Sequence, residues 1–233
     1  GIGLQPITAA IRPSPPRSLP FRILHPLSFL QYPLGSLPVV SYFRRLVPLQ
    51  LLITVLQTSP SPTWGNRVTW SLSESFAAYE WWPCKQSLTD KADSVSVKIT
   101  VPNSCKAGSN GLLENVVDLG NGTSRYEWMH RYPIVYYLVS VAVAEYVEYN
   151  VYANPIGSSG PVLIQNFIYD NPATLSNFQN DIDETVDFIE LFADLYGPYP
   201  FQNEKYGHCM APLSGGMEHQ TMTTQGFFEK GLT

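Results

Sequence analysis

Hydrophobic and polar residues alternate over residues 94–101: Val95, Val97, Ile99 and Val101 share one face, and Ser94, Ser96, Lys98 and Thr100 the other. A period of two marks a half-buried β-strand. Two further runs, 112–119 and 124–129, flank Asn121-Gly122, a dipeptide that readily takes the positive φ values of a tight hairpin turn. Residues 135–152, rich in Val and Tyr, and the apolar run 162–169 supply more strand-forming sequence. Residues 67–172 are therefore expected to form an antiparallel, sandwich-like β domain.

The period then changes to 3.6. Leu175, Phe178, Ile182, Val186, Ile189, Ala193 and Tyr196 step by three or four and define one helical face, while Asp181, Asp183, Glu184 and Asp187 fall mainly elsewhere. Gly197 followed by Pro198 stops the helix, the first as a C-cap and the second because it cannot continue one. A strand is expected at 206–211, a turn at 212–216 and a second β-like run at 217–224. The fold expected is mainly β with one long helix, the sandwich being followed from residue 173 by the start of an α+β domain.

Composition divides the chain differently. Residues 1–66 hold five arginines, no lysine, no acidic residue and 11 of the 20 prolines, whereas the remaining residues carry 9 basic and 19 acidic side chains. Prolines 13, 15, 16, 20, 26, 33 and 38 each remove a backbone donor and fix φ, so residues 1–66 are expected to lack a packed core, as a disordered Pro-rich linker or as sequence read in a non-native frame. The basic start and the apolar patch at 46–56 faintly suggest a targeting segment, but the apolar part comes late and no small-residue cleavage site follows. That patch, broken by Pro48 and Gln50, falls well short of the roughly 18 apolar residues of a membrane-spanning helix. A net charge of −5 gives no reason to expect a nucleic-acid partner. Cys84, Cys105 and Cys209 cannot all pair within one chain and are read as buried or partly exposed thiols.

Two stretches carry possible chemistry. In Gly215-Gly216-Met217-Glu218-His219, two glycines permit a close backbone approach to a ligand and a carboxylate follows at once. Taken alone, the stretch reads as a hairpin turn with a solvated Glu218. In residues 74–84, ESFAAYEWWPC, two tryptophans beside Pro83 suggest a packed corner, with Glu74 and Glu80 as surface charges.

In combination the two stretches resemble one family. Glu74, Ala77, Ala78, Pro83 and Cys84 match the spacing of the glutamate, alanines and Pro-Cys in the N-terminal β domain of the aminopeptidase N family, the zinc gluzincin aminopeptidases. Residues 195–222, LYGPYPFQNEKYGHCMAPLSGGMEHQTM, resemble that family's helix end, its Gly-Pro-Tyr-Pro-Phe turn and its Gly-x-Met-Glu-Asn exopeptidase motif. The resemblance covers residues 65–233 and implies an N-terminal β domain followed by the start of a thermolysin-like catalytic domain.

It also implies a function. Glu74 and Glu218 would both face the free α-amino group of a bound peptide, Gly215 and Gly216 would form an edge strand that aligns the substrate by β-augmentation, and Met217 would wall the pocket for the first side chain. Two carboxylates suit the task, because an ammonium entering a partly dry cleft must replace its lost hydration with paired charges. His219 stands where asparagine is usual, a variant found in related bacterial sequences, and is read as a structural hydrogen bonder. His25, His130 and His208 are likewise isolated from one another, so no metal ligand is assigned.

The family's zinc motif, His-Glu-x-x-His with a later Glu, supplies the metal and general base but does not occur before Thr233. The expectation is a fragment of a zinc-dependent aminopeptidase that carries the substrate N-terminus grip, takes peptides with a free N-terminus, and has no catalytic residue of its own. Alone it is expected to be inactive and prone to aggregate, since residues 173–233 are near the size at which one core is marginal. The alternative is a non-catalytic scaffold or peptide-binding member, and a branch that also opens epoxides is a further enzyme reading. Relatives with the His219 variant are often exported, so an exported protein is expected. Asn121-Gly122-Thr123 also fits a glycosylation acceptor.

Overall fold

The structure is a computed structural model, and it describes residues 8–12 and 55–226. Three sheets and a helix arise from the periodicities above. The first sheet has the order β1 (Thr8–Arg12), β4 (Ser94–Pro102), β7 (Thr123–His130), β6 (Leu112–Asp118), all antiparallel. The alternation of β4 has its expected result: Val95, Val97, Ile99 and Val101 are buried and Lys98 is exposed. The second sheet runs β2 (Leu56–Pro60), β3 (Arg67–Ser71), β8 (Val141–Ala144), β5 (Lys106–Ser109). The two are joined through the core by Trp128 of β7, which is 1% exposed and donates its indole N–H to Ala107 O of β5 at 3.0 Å.

The third sheet is mixed, in the order β12 (Gly216–Met217), β13 (Thr223–Gln225), β11 (Lys205–Met210), β10 (Val162–Tyr169), β9 (Tyr146–Ala153). β10 and β11 are parallel, and the connection between them is α1 (Pro172–Tyr196), since parallel neighbours require a crossover. Asn171 caps α1 by accepting from Ala173 N at 3.0 Å, Pro172 occupies the first turn, and Gly197 closes it at φ 97°. Phe178 and Ile182 pack into the main core and Ile189 against Ala153 and Ile164.

Several expectations are corrected. Within residues 1–66, Thr8–Arg12 pairs with β4 and Leu56–Pro60 with β3. Both are outermost strands, where Pro60 costs no central ladder bond, and both avoid the proline cluster itself, which lies outside the described residues. A boundary at 172/173 would separate β10 from β11, so the strand at Val162–Tyr169 belongs with the mixed sheet rather than the sandwich. Residues 135–152 divide into a short 3-10 turn at Tyr136–Leu138, then β8 and β9 in different sheets. In the hairpin the positive φ values fall on Gly120 and Gly122, and Asn121 contributes its side chain, accepting from Thr123 N. The run at 217–224 is two short strands separated by a tight turn, described next.

Candidate functional site

Glu74 follows β3 on an exposed loop, just before a 3-10 turn at Ala78–Glu80. The expected corner is packed: Ala78 is fully buried, Trp82 is 5% exposed, and Trp81 donates to Ser73 Oγ at 2.9 Å. This leaves Glu74 and Phe76 facing solvent between two anchored residues.

Glu218 sits in the turn from β12 to β13. β12 is the outermost strand of its sheet, with Gly216 opposite Gln225 and Met217 opposite Thr224. Gly215 precedes it at φ 88°, a left-handed conformation that a side chain rarely adopts. Strand alternation exposes Gly216 and buries Met217, whose side chain is 1% exposed. Met217 is thus a buried side chain here. Glu218 is exposed, while His219 turns inward to 1% exposure with Nδ1 2.8 Å from Thr224 Oγ1 and Nε2 unpaired.

The turn is held from outside. Asn110, fully buried, donates to both Leu138 O (2.9 Å) and Gln220 O (2.6 Å) and accepts from Ser140 N (2.8 Å). Gly111 N donates to Thr221 Oγ1 at 2.8 Å. Lys205 Nζ donates to Thr221 O at 2.7 Å and Ser109 O at 3.3 Å, and lies 5.2 Å from the Trp128 ring centroid. Gln220 Nε2 lies 2.7 Å from His130 Nε2 and donates to Pro133 O. The Gln220 amide donates, so His130 accepts at Nε2 and carries its proton on Nδ1, 2.5 Å from Glu204 Oε2. Thr221, at φ 64°, is the one non-glycine residue with positive φ among those described, a strain of about 1–2 kcal/mol that this lattice must outweigh.

The glutamate loops share an attachment. Tyr136 donates its hydroxyl to Ser75 O at 2.5 Å, next to Glu74. Asn110 bonds Leu138 and Ser140 on one side and Gln220 on the other. Residues 136–140 therefore secure both the loop bearing Glu74 and the turn bearing Glu218.

Burial sets the protonation of the groups around the turn. Burial holds His219 down at about 3 and His208, bonded at Nδ1 to Asn166 Oδ1, at about 4. Lys205 is lowered to about 7, again chiefly by burial. Among the described residues no three of His, Cys, Asp and Glu are grouped to hold a metal ion. A groove of about 870 Å³ lies along α1, lined by Phe178, Phe192, Tyr206, His208 and Gln225 among others; neither glutamate lines it. Periodicity gave no signal for Asn110, Lys205 or Gln220. Each is an unremarkable polar residue until the sheets close around it.

No protein-family model and no curated protein matches the chain. Solved structures do. A two-domain M1 zinc metallopeptidase variant bound to L-tryptophan superposes with TM-score 0.59 at 22% identity, covering 73% of this chain and 40% of that one. An M1 zinc metallopeptidase from Deinococcus radiodurans gives 0.59 at 24% identity, covering 73% and 39%. A variant of that enzyme bound to a Tyr-Ser-Ala substrate gives 0.57 at 22%, covering 73% and 40%. The chain therefore has the fold of M1 zinc metallopeptidases, over about 40% of the length of the structures it matches.

Proposed function

We propose that this chain forms the substrate-gripping part of a zinc-dependent aminopeptidase, in which Glu74 and Glu218 together bind the free α-ammonium of a peptide. The observation that carries the reading is the shared anchorage: two exposed carboxylates distant in sequence stand on loops secured to the same residues, 136–140. A peptide bond deeper in a chain offers no ammonium, so this pair would select the N-terminus. The outermost strand β12, with Gly216 exposed, suits pairing with an extended substrate backbone. The described residues do not fit a zinc site, so their part is to bind and orient substrate, and no chemical step is assigned to them. Zinc, in the complete protein, would supply the polarised water of peptide hydrolysis.

Replacing Glu218 by Gln in the full-length protein tests this. Removing one charged partner of a bound ammonium should lower kcat/KM for an aminoacyl arylamide about 30- to 100-fold, equivalent to about 2–3 kcal/mol. An unchanged kcat/KM refutes the role. The scaffold alternative is favoured if the wild-type full-length protein binds peptides without cleaving them.

A further inference from the structure

Lys205 is a buried amine with no carboxylate bonded to it among the described residues; its hydrogen-bond partners there are two backbone carbonyls, and an indole ring lies beside it. Two carbonyls and a ring return less than the hydration an ammonium loses on burial, so a methionine of similar length would fill this space at lower cost if packing were all that mattered. What the ammonium does that no apolar side chain can is connect. Ser109 O belongs to β5 of the sandwich and Thr221 O to the Glu218 turn. Thr221 is also the strained residue, and Gly111 N and Asn110 Nδ2 bind its hydroxyl and the preceding carbonyl.

We propose that Lys205 is a positioning residue which, by bridging Ser109 O and Thr221 O, locks the turn carrying Glu218 to the sandwich and so sets the direction of the Glu218 carboxylate. This rests on the reading of Glu218 as an ammonium anchor. The groups that face Lys205 are Trp128 from β7, Ser109 from β5, Thr221 from the turn, and the titratable Glu204, His208 and Cys209 on or beside its own strand. Glu204 makes no direct bond to it and acts only through space, its oxygens being engaged by His130 Nδ1 and Arg131 N. Cys209 is itself buried and held up at about 12, so it stays a neutral thiol. Burial holds Lys205 at about 7 while the turn is closed, and opening the turn to water returns it towards its ordinary higher value, so opening takes up a proton above pH 7 and the turn tightens as pH rises, the neutral amine still donating to both carbonyls.

The test is amide hydrogen exchange on the full-length protein, wild type and Lys205→Met, at pH 6 and pH 8.5 and corrected for intrinsic rates. Peptides covering 218–222 should exchange at least tenfold faster in the variant at pH 6, with β4 and β7 unchanged. In wild type the same peptides should slow at least threefold from pH 6 to 8.5, and in the variant they should show no such dependence. Unchanged exchange at 218–222 in the variant overturns the proposal; if the variant does not fold, a flat corrected rate in wild type does so alone.

A double-mutant cycle on arylamide kcat/KM ties the latch to Glu218. Lys205→Met should cost about tenfold when Glu218 is present and less than twofold in Glu218→Gln. Equal losses in both backgrounds contradict a positioning role. Failure of the anchor reading looks different: Glu218→Gln alone then leaves kcat/KM unchanged, while the exchange measurements still report whether Lys205 holds the turn.

Discussion

At the scale of single residues, the site depends on backbone positions that tolerate no substitution and on ionisable groups kept neutral by burial. Gly111 combines φ 76° with a close approach: a Cβ there would stand 2.1 Å from Met129 O and 2.5 Å from His130 Cα. Both contacts are backbone, which cannot swing aside. Gly111→Ala should therefore destabilise the protein by about 3 kcal/mol or more, read as a lowered urea midpoint. The histidines give a pH signature with a definite sign. His208 and His219 are held at about 4 and about 3, against about 6.5 when unfolded. Between these values the unfolded chain binds more protons, so stability falls as pH drops from about 6.5 towards 4, by about 2–3 kcal/mol per histidine at pH 4.5. His219→Asn should remove one share of that loss in urea titrations at pH 7 and pH 4.5; an unaltered difference would contradict the burial argument. Lys205 acts with the same sign higher up, stability rising with pH between about 7 and the unfolded value of about 10.4.

At the scale of elements, what the sequence made legible was whatever local periodicity controls. β4 alternates as read, and α1 runs from Pro172 to Tyr196 where the 3.6 period and Gly197-Pro198 placed it. Asn171 is the cap of α1, and Asn171→Ala should cost about 1 kcal/mol in denaturant unfolding with no change in the slope of the transition. The features that local periodicity leaves open share one physical cause. Residues 135–152 are uniformly strand-forming, but whether such a run stays in one sheet or crosses to another depends on tertiary pairing, and here β8 and β9 part company. The 217–224 run is similar: its turn is imposed by Asn110, Gly111 and Lys205 from other elements, and no local residue announces it. Asn121-Gly122 was the right place for a turn with the wrong division of labour, since Gly120 and Gly122 take the positive φ values. α1 also exposes Phe188, Leu191, Phe192, Leu195 and Tyr196. Exchanging Leu191 and Leu195 for Gln should leave the unfolding midpoint nearly unchanged, because both side chains already stand largely in water.

At the scale of the whole molecule, the sandwich and the mixed sheet are wired together at the candidate site. His130 and Asn110 come from the first two sheets and their loops; Glu204, Lys205 and Gln220 come from the third and its turns. The two candidate glutamates could be picked out in the sequence because their motifs are short and contiguous. The bonds that fix their loops could not, because Asn110–Gln220 and Tyr136–Ser75 span 110 and 61 positions. The most direct measurement of the central claim is peptide binding by nuclear magnetic resonance titration, comparing a short peptide with a free N-terminus and its N-acetylated form. Wild-type protein should prefer the free amine by at least tenfold, and the preference should vanish in the protein carrying both Glu74→Gln and Glu218→Gln. A preference that survives in the double variant, or none in wild type, contradicts the account.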